Sequence, residues 1–528
     1  MLSLLSLLVF GLSALANPLS KRAATVKIAN GTINGGTNGN VEFFKGIPFA
    51  KAPVGDLRFR HPQPYDSHFG ELDATKRPLA CIQGDGSTGS EDCLKLIVVR
   101  PTSRPSDKLP VMVFIHGGAF AGGEAEQGND GTPVVKKSIE MGKPFILVSI
   151  QYRLGAFGFL PGKQLAGNTN LGLRDQRMAL QWVQENIAEF GGDPKKVTLW
   201  GFSAGAMSAF DHTIINNGNA NGLFRGIILS SGSMIPALSY DSPKAQEIYD
   251  TVAARAGCGQ STDSLDCLRK LDAKKLQAVG YSLNMEFKYL GGNTPYFPRP
   301  DDTDSFFSTP ADTALAAGKY AKVPVLSGNS EDEGTLFALT QSNVTNNKIL
   351  VDYIATYYPG NAQYSNQFVA KYPDDLGISG SPFRTGLENN AFGQYKRLAA
   401  ILGDITFIFQ RRYHLQAISS EVPTWSYLHT SAHDVGLVGS MHGSDGLQTL
   451  SSANTIVAQT QQRYAISFIN TLDPNALSVS SPLINWPKYT TSTAQLVNEG
   501  KDSNTLIKDD FRSQQYQYWR DNISKFRI

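Results

Sequence analysis

Beyond its first sixteen residues, this 528-residue chain has no apolar run approaching the ~20 residues a membrane-spanning helix needs. It also lacks an excess of either charge, with 48 Lys and Arg against 46 Asp and Glu, a formal net charge of +2. Basic residues are scattered and form no blocks, so neither a nucleic acid nor an acidic membrane is an expected partner. Cysteine is scarce, at four residues, with no Cys-x-x-Cys and no histidine close by. That excludes the usual zinc spacings, and no metal or cofactor is expected. No Pro/Ser-rich linker, repeat or low-complexity block divides the chain. With 41% apolar residues there is material for one large core plus insertions.

Met1–Ala16 is apolar and ends in Ala14-Leu15-Ala16, the small-x-small pattern of a secretory signal. Lys21-Arg22 reads as a dibasic site closing a short propeptide, residues 17–22, which leaves one domain over 23–528. Four cysteines in a secreted chain suggest two disulfides. Of three possible pairings, the local one is favoured, Cys81 with Cys93 and Cys258 with Cys267, because turn-forming residues separate each pair. Asn30, Asn343 and Asn522 each head an Asn-x-Ser/Thr sequon open to glycosylation.

The chain centres on Val197-Thr-Leu-Trp-Gly201-Phe202-Ser203-Ala204-Gly205. A short apolar run meets Gly-x-Ser-x-Gly, and a helix-compatible run, Ala204–Ile215, follows. This is the pattern of a nucleophile elbow: the turn lifts one hydroxyl clear of a sheet, and the glycines permit the bend. The helix start would aim N–H groups and its positive dipole end at developing negative charge. An ordinary Gly/Ser loop is the plainer alternative, and the strand before and helix after weigh against it.

Elsewhere, Val26–Ile33 and Asn40–Phe44 read as the two strands of a hairpin. Pro110–Ile115, Phe145–Tyr152, Val197–Trp200, Gly226–Leu229, Val323–Leu326 and Trp425–Leu428 read as buried strands. Helical spacing over Asp175–Phe190 and similar segments separates them. The alternation implies an α/β fold with a mainly parallel sheet, whose site lies at the strands' carboxyl ends.

A serine hydroxyl needs a base, and the base an orienting acid, here in the chain order Ser, acid, His. His442 lies in a Gly-flanked loop and is the first candidate, with His433 next. Glu331, Asp332 and Glu333 follow the apolar run at 323–326, and a solvated acidic loop explains them equally well. Val111–Ile115 runs into His116-Gly-Gly-Ala119, whose small residues suit backbone donors to an oxyanion.

Joined, these pieces resemble the type B carboxylesterase/lipase family of cholinesterase-like proteins, above all its fungal secreted lipases and sterol esterases. Further marks are Phe44-Lys-Gly-Ile-Pro-Phe-Ala50, Ser90-Glu-Asp-Cys93, Asn170-Leu-Gly-Leu-Arg-Asp-Gln-Arg177, Phe190-Gly-Gly-Asp-Pro194 and Glu333-Gly-Thr335. The resemblance implies the α/β-hydrolase fold, with Ser203 as nucleophile, Glu333 as acid and His442 as base. It puts the oxyanion donors on the amides of Gly118, Ala119 and Ala204, and it matches both local disulfides. Phe337 falls where the lipases line an acyl pocket, although a plain core role suits it as well.

Two departures stand out. Relatives mostly carry Glu before the nucleophile, and this chain has Phe202. The loop between the first two cysteines, a long amphipathic lid in the fungal lipases, is here eleven polar, Gly-rich residues, Ile82–Asp92. The resulting expectation is a secreted serine esterase or lipase acting on a small-molecule or lipid ester. A non-catalytic adhesion protein of the same fold is the alternative, and the three triad candidates weigh against it. An epoxide or haloalkane hydrolase would want Asp at the elbow.

Overall fold

The structure is a computed structural model and describes residues 24–103, 108–126, 130–286, 291, 293–375, 377–445, 450–477 and 482–528. The segments read from the sequence as signal and propeptide, 1–16 and 17–22, lie outside the described residues.

The first strands are β1 (Ala24–Ile28), β2 (Gly31–Asn38), β3 (Val41–Pro48), β4 (Gly70–Asp73) and β5 (Lys95–Pro101). The central ones are β6 (Leu109–Ile115), β7 (Ile146–Ile150), β8 (Gly192–Phe202), β9 (Gly226–Ser230), β10 (Val325–Ser330) and β11 (Thr424–His429). Two more, β12 (Gln495–Glu499) and β13 (Asn504–Lys508), close the far edge. The sheet runs in the order β1-β2-β3-β5-β7-β6-β8-β9-β10-β11-β12-β13, with β4 beside β2. From β7 to β12 every neighbouring pair is parallel, and the outer pairs β1/β2, β2/β3, β3/β5, β5/β7 and β12/β13 are antiparallel. This is the α/β-hydrolase architecture.

Side chains alternate across the sheet. Val111, Val113, Leu199 and Ile227 belong to one apolar core, and Met112, Phe114, Trp200 and Ile228 to the other. Both faces are therefore buried, which is why these strands read as continuous apolar runs. The helix Leu171–Asn186 covers the first core with Leu173, Leu180 and Val183, and the helix Ile456–Thr471 covers the second with Tyr464 and Phe468.

Some boundaries differ from the sequence reading. Val26–Ile33 is two strands, because Ala29-Asn30 turns and pairs Ile28 with Gly31. The strand expected at 323–326 begins at Val325 and continues through polar residues to Ser330, buried because β9 and β11 flank it. The helix after Ser203 breaks at Ile215, where Asn216 and Asn217 turn left-handed. Cys81 is bonded to Cys93 and Cys258 to Cys267.

One buried ionic cluster ties the far edge to the centre. Asp509, just past β13, accepts from Arg411 at 2.9 and 3.0 Å, from Arg412 at 2.9 Å and from Tyr489 at 3.1 Å. Burial alone would raise its carboxyl, but the two guanidinium charges outweigh it and hold the group well below the carboxylate range. Removing one side of such a cluster strands the other in a dry interior. Asp509→Asn should therefore cost about 3–5 kcal/mol in guanidinium unfolding at pH 7. A depressed carboxyl stabilises above the unfolded-state pKa of about 3.9 and is lost as pH falls below it, so the mutant's deficit should shrink in strong acid.

Candidate active site

β8 ends at Phe202, and Ser203 follows with φ 55° and ψ −124° before the helix Ala204–Gly218 begins. Such a conformation costs a non-glycine residue about 1–3 kcal/mol. Its neighbours leave no freedom for larger residues. A Cβ on Gly201 would sit 2.1 Å from the Gly205 carbonyl oxygen, and one on Gly205 would sit 2.0 Å from that of Ile115. The Ser203 amide donates to Ser230 on β9 at 2.9 Å, which anchors the turn.

Parallel strands deliver the partners to the same edge. The Ser203 hydroxyl donates to His442 Nε2 at 2.8 Å, and His442 Nδ1 donates to Glu333 Oε2 at 2.5 Å. The carboxylate thus fixes which ring nitrogen carries the proton. Glu333 Oε1 accepts from the Ser330 amide at 2.8 Å and the Asn329 side chain at 3.3 Å. The carboxylates before it are engaged elsewhere. Asp332 accepts from Ser381 at 2.7 Å, the Phe383 amide at 3.0 Å and the Ser440 amide at 2.9 Å. Glu331 faces Arg384; burial, with the Asp332 charge adding to it, pushes its carboxyl up to about 7 against the pull of that guanidinium. His433 makes no side-chain hydrogen bond to Ser203, and His414 is bonded to Ser233 at 3.0 Å.

The loop after β6 is held in left-handed conformations, with φ 112° at Gly118, 53° at Ala119 and 58° at Phe120. The Gly118 carbonyl accepts from Ala121 at 3.0 Å and Gly122 at 2.9 Å, turning the strip back on itself. Among the described residues, no protein acceptor pairs with the amides of Gly118, Ala119 or Ala204. Gln83, within the Cys81–Cys93 loop, braces this strip. It accepts from the Gly123 amide at 2.9 Å and donates to the Gly123 carbonyl at 3.0 Å. That brace was not legible in the sequence, since nothing local marks a glutamine as a partner forty residues away.

Ser203 opens into a cavity of about 680 Å³, its mouth included, lined chiefly by apolar and aromatic side chains such as Phe120, Met207, Phe297, Phe337 and Phe407. The Ile82–Asp92 loop does not border it. Rings enclose the imidazole: Phe202 stacks on His442 at 5.2 Å, and Phe337 and Phe407 approach at 5.3 and 4.5 Å. Phe337 thus lies beside the His442 ring and stacks on Phe407. Phe407 escaped the sequence reading because it sits on a π-turn, Asp404–Ile408, where the Phe409 amide reaches back five residues to the Asp404 carbonyl. The insertion rotates the helix so that Phe407 meets the imidazole. Asp404 anchors it, accepting from Arg512 at 2.6 Å and Tyr372 at 2.7 Å.

A family model described as the carboxylesterase family matches residues 22–519. The chain belongs to the carboxylesterase family. Relatives in it include Secreted lipase 1 of Botryotinia fuckeliana, 44% identical, with 97% of this chain and 95% of that protein covered. Secreted triacylglycerol lipase LIP1 of Gibberella zeae is 40% identical over 95% of this chain and 91% of its own. Among solved structures, Aspergillus niger EstA superposes with a TM-score of 0.82 at 26% identity, covering 96% of this chain and 99% of its own. As a carboxylesterase-family chain this protein is a carboxylic ester hydrolase. Among the described residues no helix is long and apolar enough to cross a membrane, and no cluster of three potential metal ligands occurs.

Of the three sequons, the Asn30 amide donates to Tyr65 and Ser67 and the Asn522 amide to Tyr518, whereas Asn343 is exposed. A carboxylate in place of Phe202 would face the imidazole at stacking distance and favour its charged form. Phe202→Glu should raise the pKa on the acidic limb of kcat/KM, read from a pH–rate profile. An unmoved or lowered limb would show that Phe202 does not govern the imidazole's titration.

Proposed function

We propose that this protein is a secreted serine esterase or lipase that cleaves carboxylic esters through an acyl-enzyme on Ser203. The observation that carries the reading is the unbroken chain Ser203–His442–Glu333, with spacings of 2.8 and 2.5 Å, at the mouth of an apolar cavity. Ser203 Oγ attacks the acyl carbon while its proton passes to His442 Nε2. Glu333 holds the imidazolium that forms, and the tetrahedral oxyanion takes the free amides of Gly118, Ala119 and Ala204. The alcohol leaves with the proton from Nε2. A water, deprotonated by the same nitrogen, then attacks the acyl carbon and frees the acid and Ser203. None of these steps calls for a metal or cofactor. Secretion fits the leader-like Met1–Ala16 and the two relatives named as secreted lipases.

Ser203→Ala and His442→Ala should each lower kcat by roughly 10⁴–10⁶-fold, and the double mutant should lose little more, because the members act as a unit. Glu333→Gln should lose less, while Glu331→Gln should leave turnover within a few-fold. A larger loss in Glu331→Gln would move the acid's role away from Glu333. An organophosphate should label one serine per chain, and peptide mapping should find it at Ser203.

The Cys81–Cys93 loop bears on interfaces. Its eleven residues could span at most ~35–40 Å extended, and the disulfide halves that reach. Ile82 is its sole large apolar residue, so at ~25 cal/mol per Å² it gains little by lying on an apolar rim. Hydrolysis of tributyrin should rise smoothly from clear solution into emulsion. A sharp jump at the solubility limit would assign a lid to another segment.

A further inference from the structure

Most groups lining the cavity beside Ser203 are apolar, and besides the hydroxyls of Thr294, Tyr357, Tyr358 and Thr406 the exception is the amide of Gln410. Its side chain is 4% exposed, and its Oε1 is buried with no hydrogen-bond partner. The amide cannot simply be turned over. Nε2 donates to the Ile405 carbonyl at 2.8 Å, and exchanging the two atoms would set oxygen against oxygen. Gln410 lies on the helix that follows the π-turn, three positions past Phe407 and so roughly 4.5 Å further along its axis. A second polar end shares the cavity. Tyr358 lines it, 2% exposed, and no described residue is hydrogen-bonded to its hydroxyl. Burial pushes that phenol up, so it stays neutral and able to donate.

We propose that Gln410 and Tyr358 form a polar subsite inside the acyl-enzyme cavity that receives a hydroxyl carried by the substrate. This rests on the ester-hydrolase reading above. Gln410 Oε1 can only accept, so its complement must donate; the Tyr358 hydroxyl can donate in return. A hydroxyl, which both donates and accepts, answers either demand. An ammonium can only donate, so it would give the Tyr358 O–H no acceptor, and a ketone would leave Oε1 unpaired. A plain alkyl group covering Gln410 would do the same, which is worth roughly five- to 150-fold in binding against a group that pairs it. The hydroxyl can belong to the acyl chain or to the alcohol half of the ester, depending on which half fills the cavity.

The test compares kcat/KM across two series on the intact protein. One is p-nitrophenyl octadecanoate and its monohydroxy analogues, with the hydroxyl walked along the chain. The other is octanoate esters of n-alkanols and the matching α,ω-diol monoesters. In one series a particular hydroxyl position should exceed the plain ester by about tenfold or more. That series identifies the half that is buried. The ratio should collapse towards unity in Gln410→Met and fall in Tyr358→Phe. The Tyr358 variant leaves the Ile405 carbonyl bonded and so guards against a Gln410 variant that fails to fold. Flat ratios in both series of the wild type, with plain esters still turned over, overturn the subsite and mean a cavity water satisfies Oε1. A preference that survives in both variants also overturns it. Failure to hydrolyse any plain ester would instead bring down the esterase reading and the subsite with it.

Discussion

The site depends on a backbone constraint at one residue. Ser203 is held at φ 55° between a strand and a helix, and it can stay there only because Gly201 and Gly205 let chain segments pass within contact of one another. The strain is repaid by packing on three sides: β6 beneath Gly205, β9 bonded to the Ser203 amide, and the helix that starts at Ala204. The same turn that exposes the hydroxyl puts the Ala204 amide, the first of the helix, directly beside it. Geometry and electrostatics therefore come from one local decision.

Around that point the other groups are fastened to each other as well as to the serine. Asp332 links the acid loop to the histidine loop through the Ser440 amide, and a bridge between Asp332 and Met441 extends the parallel sheet one step past β10 and β11. Behind Glu333, Asn329 accepts from Arg411 at 2.8 Å, and Arg411 is held in turn by Asp509. On the other flank Asp445 accepts from Ser231 at 3.1 Å and Tyr427 at 2.7 Å, three residues from His442. Each link is buried, so each keeps its strength in a low dielectric.

Much of this was legible in the sequence because it is written in local patterns. The apolar runs at 110–115 and 197–200 are strands buried on both faces, and Gly-x-Ser-x-Gly marks the elbow directly. The choice among three consecutive carboxylates was not local: it came from the family frame, and the structure separates them by partner. Glu333 meets the imidazole, Asp332 meets backbone amides, and Glu331 meets Arg384. What escaped was set by long-range contact. Ser330 is buried by flanking strands despite its polarity, Phe407 reaches the His442 ring through a π-turn that no sequence pattern marks, and Gln83 acts across the gap to Gly123.

The short disulfide loop carries a consequence for anyone rebuilding the enzyme. Gln83 is committed to Gly123 in the loop after β6, the Gly84 carbonyl accepts from Gln277 at 3.0 Å, and a Cβ on Gly86 would sit 2.8 Å from the Lys274 carbonyl. Glu91, at its other end, is clamped by Arg58 through two contacts of 2.7 Å. A hinged cover grafted between Cys81 and Cys93 would thus replace a strut: the transplant would have to supply its own support for the Gly118–Gly123 strip behind it, or that strip would lose its shape before any cover could close. In this chain the loop is part of the chassis, not an accessory bolted to it.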